Sequence, residues 1–97
     1  MALETTRWDS SKYLDSEEAI VAYMDAVLEE GDPALVTHAL GQIAKARGMT
    51  QIARETGLSR ESLYRALSAE GHPEFATVMK VMRALGLRLS ASTTKAA

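Results

Sequence analysis

The chain has no cysteine, which excludes disulfides and thiolate metal sites. No apolar run approaches the roughly 18 residues of a membrane span. The opening stretch MALETTRWDSSKYLD lacks the apolar core of a secretory signal, so a cytoplasmic protein is expected. Histidine is scarce. His38 and His72 show no metal-binding spacing such as HExxH, and there is no glycine-rich phosphate loop or defensible Ser–His–Asp order. The acid pairs Glu17-Glu18 and Glu29-Glu30 are sequence neighbours. On a helix they point about 100° apart, so they are helix-end charges and not an acid–base couple. No enzyme, metal or cofactor is expected. Aromatics are few, 5% of the chain, with a single Trp at position 8.

What is present fits one globular domain: 97 residues, 46% hydrophobic and 25% charged. The net charge of −2 is unevenly spread. Residues 1–34 hold nine acids and two bases, a balance of −7, while residues 35–97 hold nine bases and four acids, a balance of +5. Such asymmetry points to two different partners. The basic part suits phosphates, and the acidic part, repelled by them, must face elsewhere. The plainer alternative is two solvated faces of opposite sign.

Residues 1–14 show no clear period and form an N-terminal arm. Trp8, Tyr13 and Leu14 are its apolar points, which either pack back on the domain or anchor a partner, since Trp and Tyr are enriched at interface hot spots. The domain proper is expected over 15–92, all-α, with helices at about 16–30, 33–47, 50–56, 59–69 and 74–85. Asp15 or Ser16 caps the first helix, and Ile20, Tyr23, Met24, Val27 and Leu28 form its apolar stripe. Gly31 stops it, and Asp32-Pro33 opens the second. Leu35, Val36, Ala39, Leu40, Ile43 and Ala44 give the second helix a broad apolar face. Gly48 ends it, and Thr50 is the expected cap of the third. Gly71-His72-Pro73 is a loop. Phe75, Val78, Met79, Met82 and Leu85 form the stripe of the last helix. Leu87 to Ser92 alternate as a short strand would, and such a strand needs a partner. Residues 93–97 form a tail.

The stretch TQIARETGLSRESLYRALSA, Thr50 to Ala69, reads as a helix-turn-helix, in which the second helix enters the DNA major groove. Ala53 sits where the two helices touch, Gly57 makes the turn, and Leu58 and Leu63 fill the space between them. Ser59, Arg60, Glu61, Tyr64, Arg65 and Ser68 lie on the polar side of the second helix. Arg can donate two hydrogen bonds to guanine and Glu can accept one from cytosine, so Arg60 and Arg65 are the leading candidates for base or phosphate contact. Thr50, Gln51 and Arg54 would lie against the phosphate backbone, with Lys45 and Arg47 near it. Specific binding by so small a module generally requires a dimer with recognition helices about 34–36 Å apart.

From Ala39 to Leu89, ALGQIAKARGMTQIARETGLSRESLYRALSAEGHPEFATVMKVMRALGLRL, the sequence resembles the addiction-module antidote proteins, HigA-like antitoxins of the Cro/repressor (XRE) class. YLDSEEAIVAYMDAVLEEGDPALVTHAL is similar too, so the likeness covers roughly residues 9–90. One departure stands out. Only Gln51 and Ile52 separate Thr50 from Ala53, where such proteins usually have four residues, so weight falls on the helix beginning at Ser59. The resemblance implies a lambda-repressor-like fold and a type II antitoxin that neutralises a RelE-superfamily ribonuclease toxin and represses its own operon; the small size of the DNA-reading module adds the expectation of a homodimer. RelE-like toxins are basic as a class, which gives the acidic half a role. Trp8, Tyr13, Glu17, Glu18 and Asp25 are the expected toxin contacts. A stand-alone phage-type repressor without a toxin is the alternative, and a protein-only helical adaptor a more distant one.

Overall fold

The computed structural model describes residues 16–68 and 70–94. Among them it is all-helical, with five helices and no strand: α1 Glu17–Glu30, α2 Pro33–Arg47, α3 Met49–Thr56, α4 Arg60–Ala66 and α5 Phe75–Ala84. None of these is long and apolar enough to cross a membrane.

Local chemistry sets most of the helix ends. The Ser16 hydroxyl accepts a hydrogen bond from the Ala19 amide at 3.1 Å and opens α1. Gly31, at φ 75°, closes it by turning into the left-handed region. Asp32 caps α2 through the Ala34 amide at 3.1 Å, and Pro33 occupies a first-turn position where no amide is missed. Ser59 caps α4 by accepting from the Ser62 amide at 3.0 Å.

Helix α2 is the centre of the packing. Ala39, Leu40, Ile43 and Ala44 are fully buried, and α1, α3 and α5 all rest against it. Helix α1 contributes Ile20, Met24 and Val27, with Tyr23 half-buried. Leu28, expected on that stripe, is 41% exposed. Gly41 faces the end of α4, where an added Cβ would stand 3.0 Å from the Leu67 carbonyl oxygen.

The junction between α2 and α3 differs from the expectation. Gly48 serves both helices: its amide donates to the Ala44 carbonyl at 2.8 Å, and its carbonyl accepts from Ile52 at 3.1 Å. Helix α3 therefore begins at Met49, without a side-chain cap, and Thr50 lies exposed in its first turn instead of capping it. The extra residue matters, because Met49 joins the core beside Ile52 and Ala53. Thr56 ends the helix and is the buried polar residue among those described. Its hydroxyl donates to the Ile52 carbonyl at 2.8 Å, with the Ala53 carbonyl at 3.1 Å, and accepts from the Leu58 amide at 3.3 Å. Gly57 then turns the chain at φ 79°.

Helix α4 stops at Ala66, short of the expected 69, because the chain folds back on it. An added Cβ on Gly71 would meet the Ala66 carbonyl oxygen at 2.3 Å and that of Arg65 at 2.5 Å. Only glycine allows this approach. Helix α5 buries Val81, Met82 and Leu85, with Val78 half-buried. Phe75 and Met79, expected on its core stripe, are 68% and 40% exposed. Apolar residues at 75, 78, 79, 81, 82 and 85 offer two overlapping stripes, and contact with both α2 and α3 selects the one containing Val81. Beyond Gly86, the Leu87 amide donates back to the Met82 carbonyl at 2.8 Å. Leu87 to Ser92 have no regular secondary structure: a strand needs a neighbour for its ladder, and no strand stands beside them among the described residues.

Urea denaturation tests this packing. Leu63, 0% exposed, is expected to cost about 2–5 kcal/mol when truncated to Ala. Gly71→Ala is expected to cost about 1–3 kcal/mol, since its neighbours are backbone atoms that cannot swing aside. Thr56→Val removes a hydroxyl that satisfies the turn and should cost about 1 kcal/mol. Wild-type midpoints for Gly71→Ala would show that the loop relaxes freely.

Candidate functional site

Two surfaces of opposite character face solvent. The first is built by α3, its turn and α4. Ile52 and Ala53 from α3 face Leu63 and Leu67 inside. This inner frame turns Gln51, Arg54 and Glu55 of α3, and Ser59, Arg60, Glu61, Tyr64, Arg65 and Ser68 of the α4 region, outward. The structure thus brings the DNA-contact candidates onto one continuous pair of helices. Their hydrogen bonding divides them. The Gln51 amide donates to the Glu55 carboxylate at 3.2 Å along its own helix. The Ser59 hydroxyl donates to the Ser62 hydroxyl at 2.9 Å while capping α4. The Ser68 hydroxyl donates to the Arg65 carbonyl at 2.9 Å.

Arg60 and Tyr64 contact each other, and Arg54, Glu61 and Arg65 extend from the same helix pair into solvent. The Arg60 guanidinium lies over the Tyr64 ring, 5.6 Å from its centroid, and its Nη2 donates to the phenol oxygen at 3.5 Å. From Lys45 to Ser68 the chain carries five bases, Lys45, Arg47, Arg54, Arg60 and Arg65, against two acids, Glu55 and Glu61. All five bases are exposed. A surface of this kind can hold a run of phosphates while Arg side chains reach between them.

The second surface is the outer side of α1. Glu17, Glu18 and Asp25 are exposed there, as are Glu29 and Glu30. The helix carries no Lys or Arg. Glu17 and Glu18 suit the positive end of the helix dipole, but Glu29 and Glu30 sit at its negative end, where helix stability favours bases. Their charge therefore works against α1 itself. Asp25 and Glu29 line a groove of about 960 Å³ with Val21, Leu28, Leu87 and Leu89. Val21 is 54% exposed, and sequence periodicity gave no reason to single it out. The remaining expected toxin contacts, Trp8 and Tyr13, lie outside the described residues. A second groove, of about 790 Å³, is lined by Leu28, Pro33, Val36, Phe75, Val78 and Leu89 among others. Only the burial pattern reveals it, through the outward turn of Phe75.

His38 and His72 are both exposed. Among the described residues, no group of three or more His, Asp or Glu side chains is arranged to hold a metal ion.

Comparison with known proteins adds to this geometry. No solved structure gives a significant match to the chain. A protein of Haemophilus influenzae, strain Rd, described as "uncharacterized protein", is 50% identical over 88 residues, covering 91% of each chain. A family model described as "probable addiction module antidote protein" matches residues 4–93. That match takes in both the acidic helix and the basic helix pair, and the chain belongs to the family of addiction module antidote proteins.

Proposed function

We propose that this antidote protein is a cytoplasmic type II antitoxin with two working faces. One binds and neutralises a RelE-superfamily ribonuclease toxin. The other, α3 and α4 acting as an XRE-type helix-turn-helix, binds operator DNA and represses the protein's own operon. The observation that carries this reading is the segregation of charge in the fold. Helix α1 has five acids and no base, while α4 and its surroundings present outward Arg60 and Arg65. An antidote implies a toxin as partner, and an RNA-cleaving toxin must itself be basic to hold its substrate. An acidic helix complements such a surface and repels DNA, so the two partners are kept to different faces.

On the DNA side, α4 is the helix that enters the major groove. Arg60 and Arg65 supply base or phosphate contacts, and Glu61 and Tyr64 flank them. Thr50, Gln51 and Arg54 lie toward the backbone, joined by Ser59, which caps α4, and by Ser68, just beyond the end of the helix. On the toxin side, Glu17, Glu18 and Asp25 supply charge, and Trp8 and Tyr13 of the arm supply apolar anchors. A homodimer pairs two α4 helices with successive major-groove faces, about 34–36 Å apart.

Coexpression with the neighbouring open reading frame tests the toxin half. A toxic partner should co-purify, and Trp8→Ala with Tyr13→Ala should weaken its capture at least tenfold, as loss of aromatic anchors does elsewhere. A chain that represses its promoter but captures no neighbour would be a stand-alone repressor. For the DNA half, Arg60→Ala with Arg65→Ala should lower affinity for the upstream DNA by at least tenfold at matched salt, with toxin capture intact. Unchanged affinity in that double variant would remove both arginines from the interface.

A further inference from the structure

The pairing of Arg60 with Tyr64 has a use beyond the general reading of α4 as a DNA-facing helix. Arg60 occupies the first position of α4 and Tyr64 lies one turn on, so their side chains share a face. The ring is 42% exposed, and the core beneath is filled by Leu63, at 0% exposed. Packing alone therefore gives little reason for an aromatic at this position. What the ring does contact is the guanidinium, 5.6 Å from its centroid, inside the roughly 6 Å range of cation–π attraction. A second contact, Nη2 to the phenol oxygen at 3.5 Å, limits rotation of the guanidinium about its own axis. A free Arg at a helix start samples many rotamers, whereas the cation–π approach and the long 3.5 Å hydrogen bond favour one of them here.

The chemistry of the holder matters. A carboxylate would also fix Arg60, but it would neutralise the charge that phosphates and base acceptors attract. Tyrosine is neutral. It holds the guanidinium through ring and oxygen, leaves its full positive charge outward, and keeps its own O–H free to donate. Of the five N–H groups of the arginine fork, only one is directed at the phenol oxygen, and two of those remaining suffice for a paired contact with guanine O6 and N7.

We infer that Tyr64 is a positioning residue that holds Arg60 for a bidentate contact with a guanine in the major groove of the operator. This rests on the proposal that α4 binds DNA. The test uses duplexes from the region directly upstream of the protein's own gene, footprinted with the full-length chain. Base pairs in the protected site are then substituted one at a time. Affinities are measured by fluorescence anisotropy at one salt concentration and along a salt series.

Wild type should discriminate by about tenfold or more at one G·C pair, and Arg60→Ala should abolish that discrimination. Tyr64→Leu should lose most of it without changing the salt slope, since no phosphate contact is removed. Tyr64→Phe, which keeps the ring, should restore most of what Tyr64→Leu loses. Arg60→Ala with Tyr64→Leu should bind as Arg60→Ala alone does, within about twofold. Multiplying losses in the double variant, or full discrimination in Tyr64→Leu, would overturn the inference while DNA binding stood. Binding with Arg60→Ala unaffected would do the same. Wild-type chain that binds no upstream duplex would overturn the DNA reading and the inference together.

Discussion

The fold depends on close approach to one helix. Helix α2 has Ala39, Gly41 and Ala44 beside Leu40 and Ile43, all buried. The small residues let backbones draw near, and the two large ones fill the space that remains. Burying a Leu or Ile side chain is worth about 1.5–3 kcal/mol, a large share of the net stability of a small domain. Three helices rest on this surface. Their orientation, and through it the direction in which α1 and α4 face, follows from how their side chains seat on α2.

That arrangement explains how a chain with net charge of −2 can present strong charge of both signs. Helix α1 buries Ile20, Met24 and Val27, which turns its acids to solvent. Helix α4 is short and makes its main contact with α3; burying Leu63 is enough to turn Arg60, Tyr64 and Arg65 outward. In both cases a few apolar residues on one side of a helix decide the direction of charge on the other. Like charge then gathers on each face, raising the local field above what the net charge suggests. The acids at the end of α1 oppose that helix's own dipole, so they add nothing to its stability.

The candidate site was partly legible in the sequence. The polar side of Ser59 to Ser68 could be read because one buried Leu63 sets the phase of a seven-residue helix. Acids on α1 could be read because its stripe of Ile20, Met24 and Val27 is regular. The Arg60–Tyr64 pair was visible only as two residues four apart; that the guanidinium lies on the ring is a matter of rotamers. The groove beside Asp25 was not legible, because it combines α1 with Leu87 and Leu89, which are far from it in sequence.

What the sequence determined by itself were the helix ends that rest on chemistry within a few residues: Ser16, Gly31, Asp32 with Pro33, and Ser59. Each satisfies an orphan amide or turns the chain through contacts no more than four residues distant, so no neighbour is needed to read them. Tertiary structure decided the rest. It chose Val81 over Phe75 for the core, although both stripes of α5 are apolar, because only one can face α2 and α3. It drew the start of α3 back to Met49, whose side chain joins the core beside Ile52 and Ala53. It required glycine at position 71, since two carbonyls of α4 leave no room for a Cβ. It left Leu87 to Ser92 without a ladder, because a strand is defined by a neighbour and alternation in one segment cannot supply it.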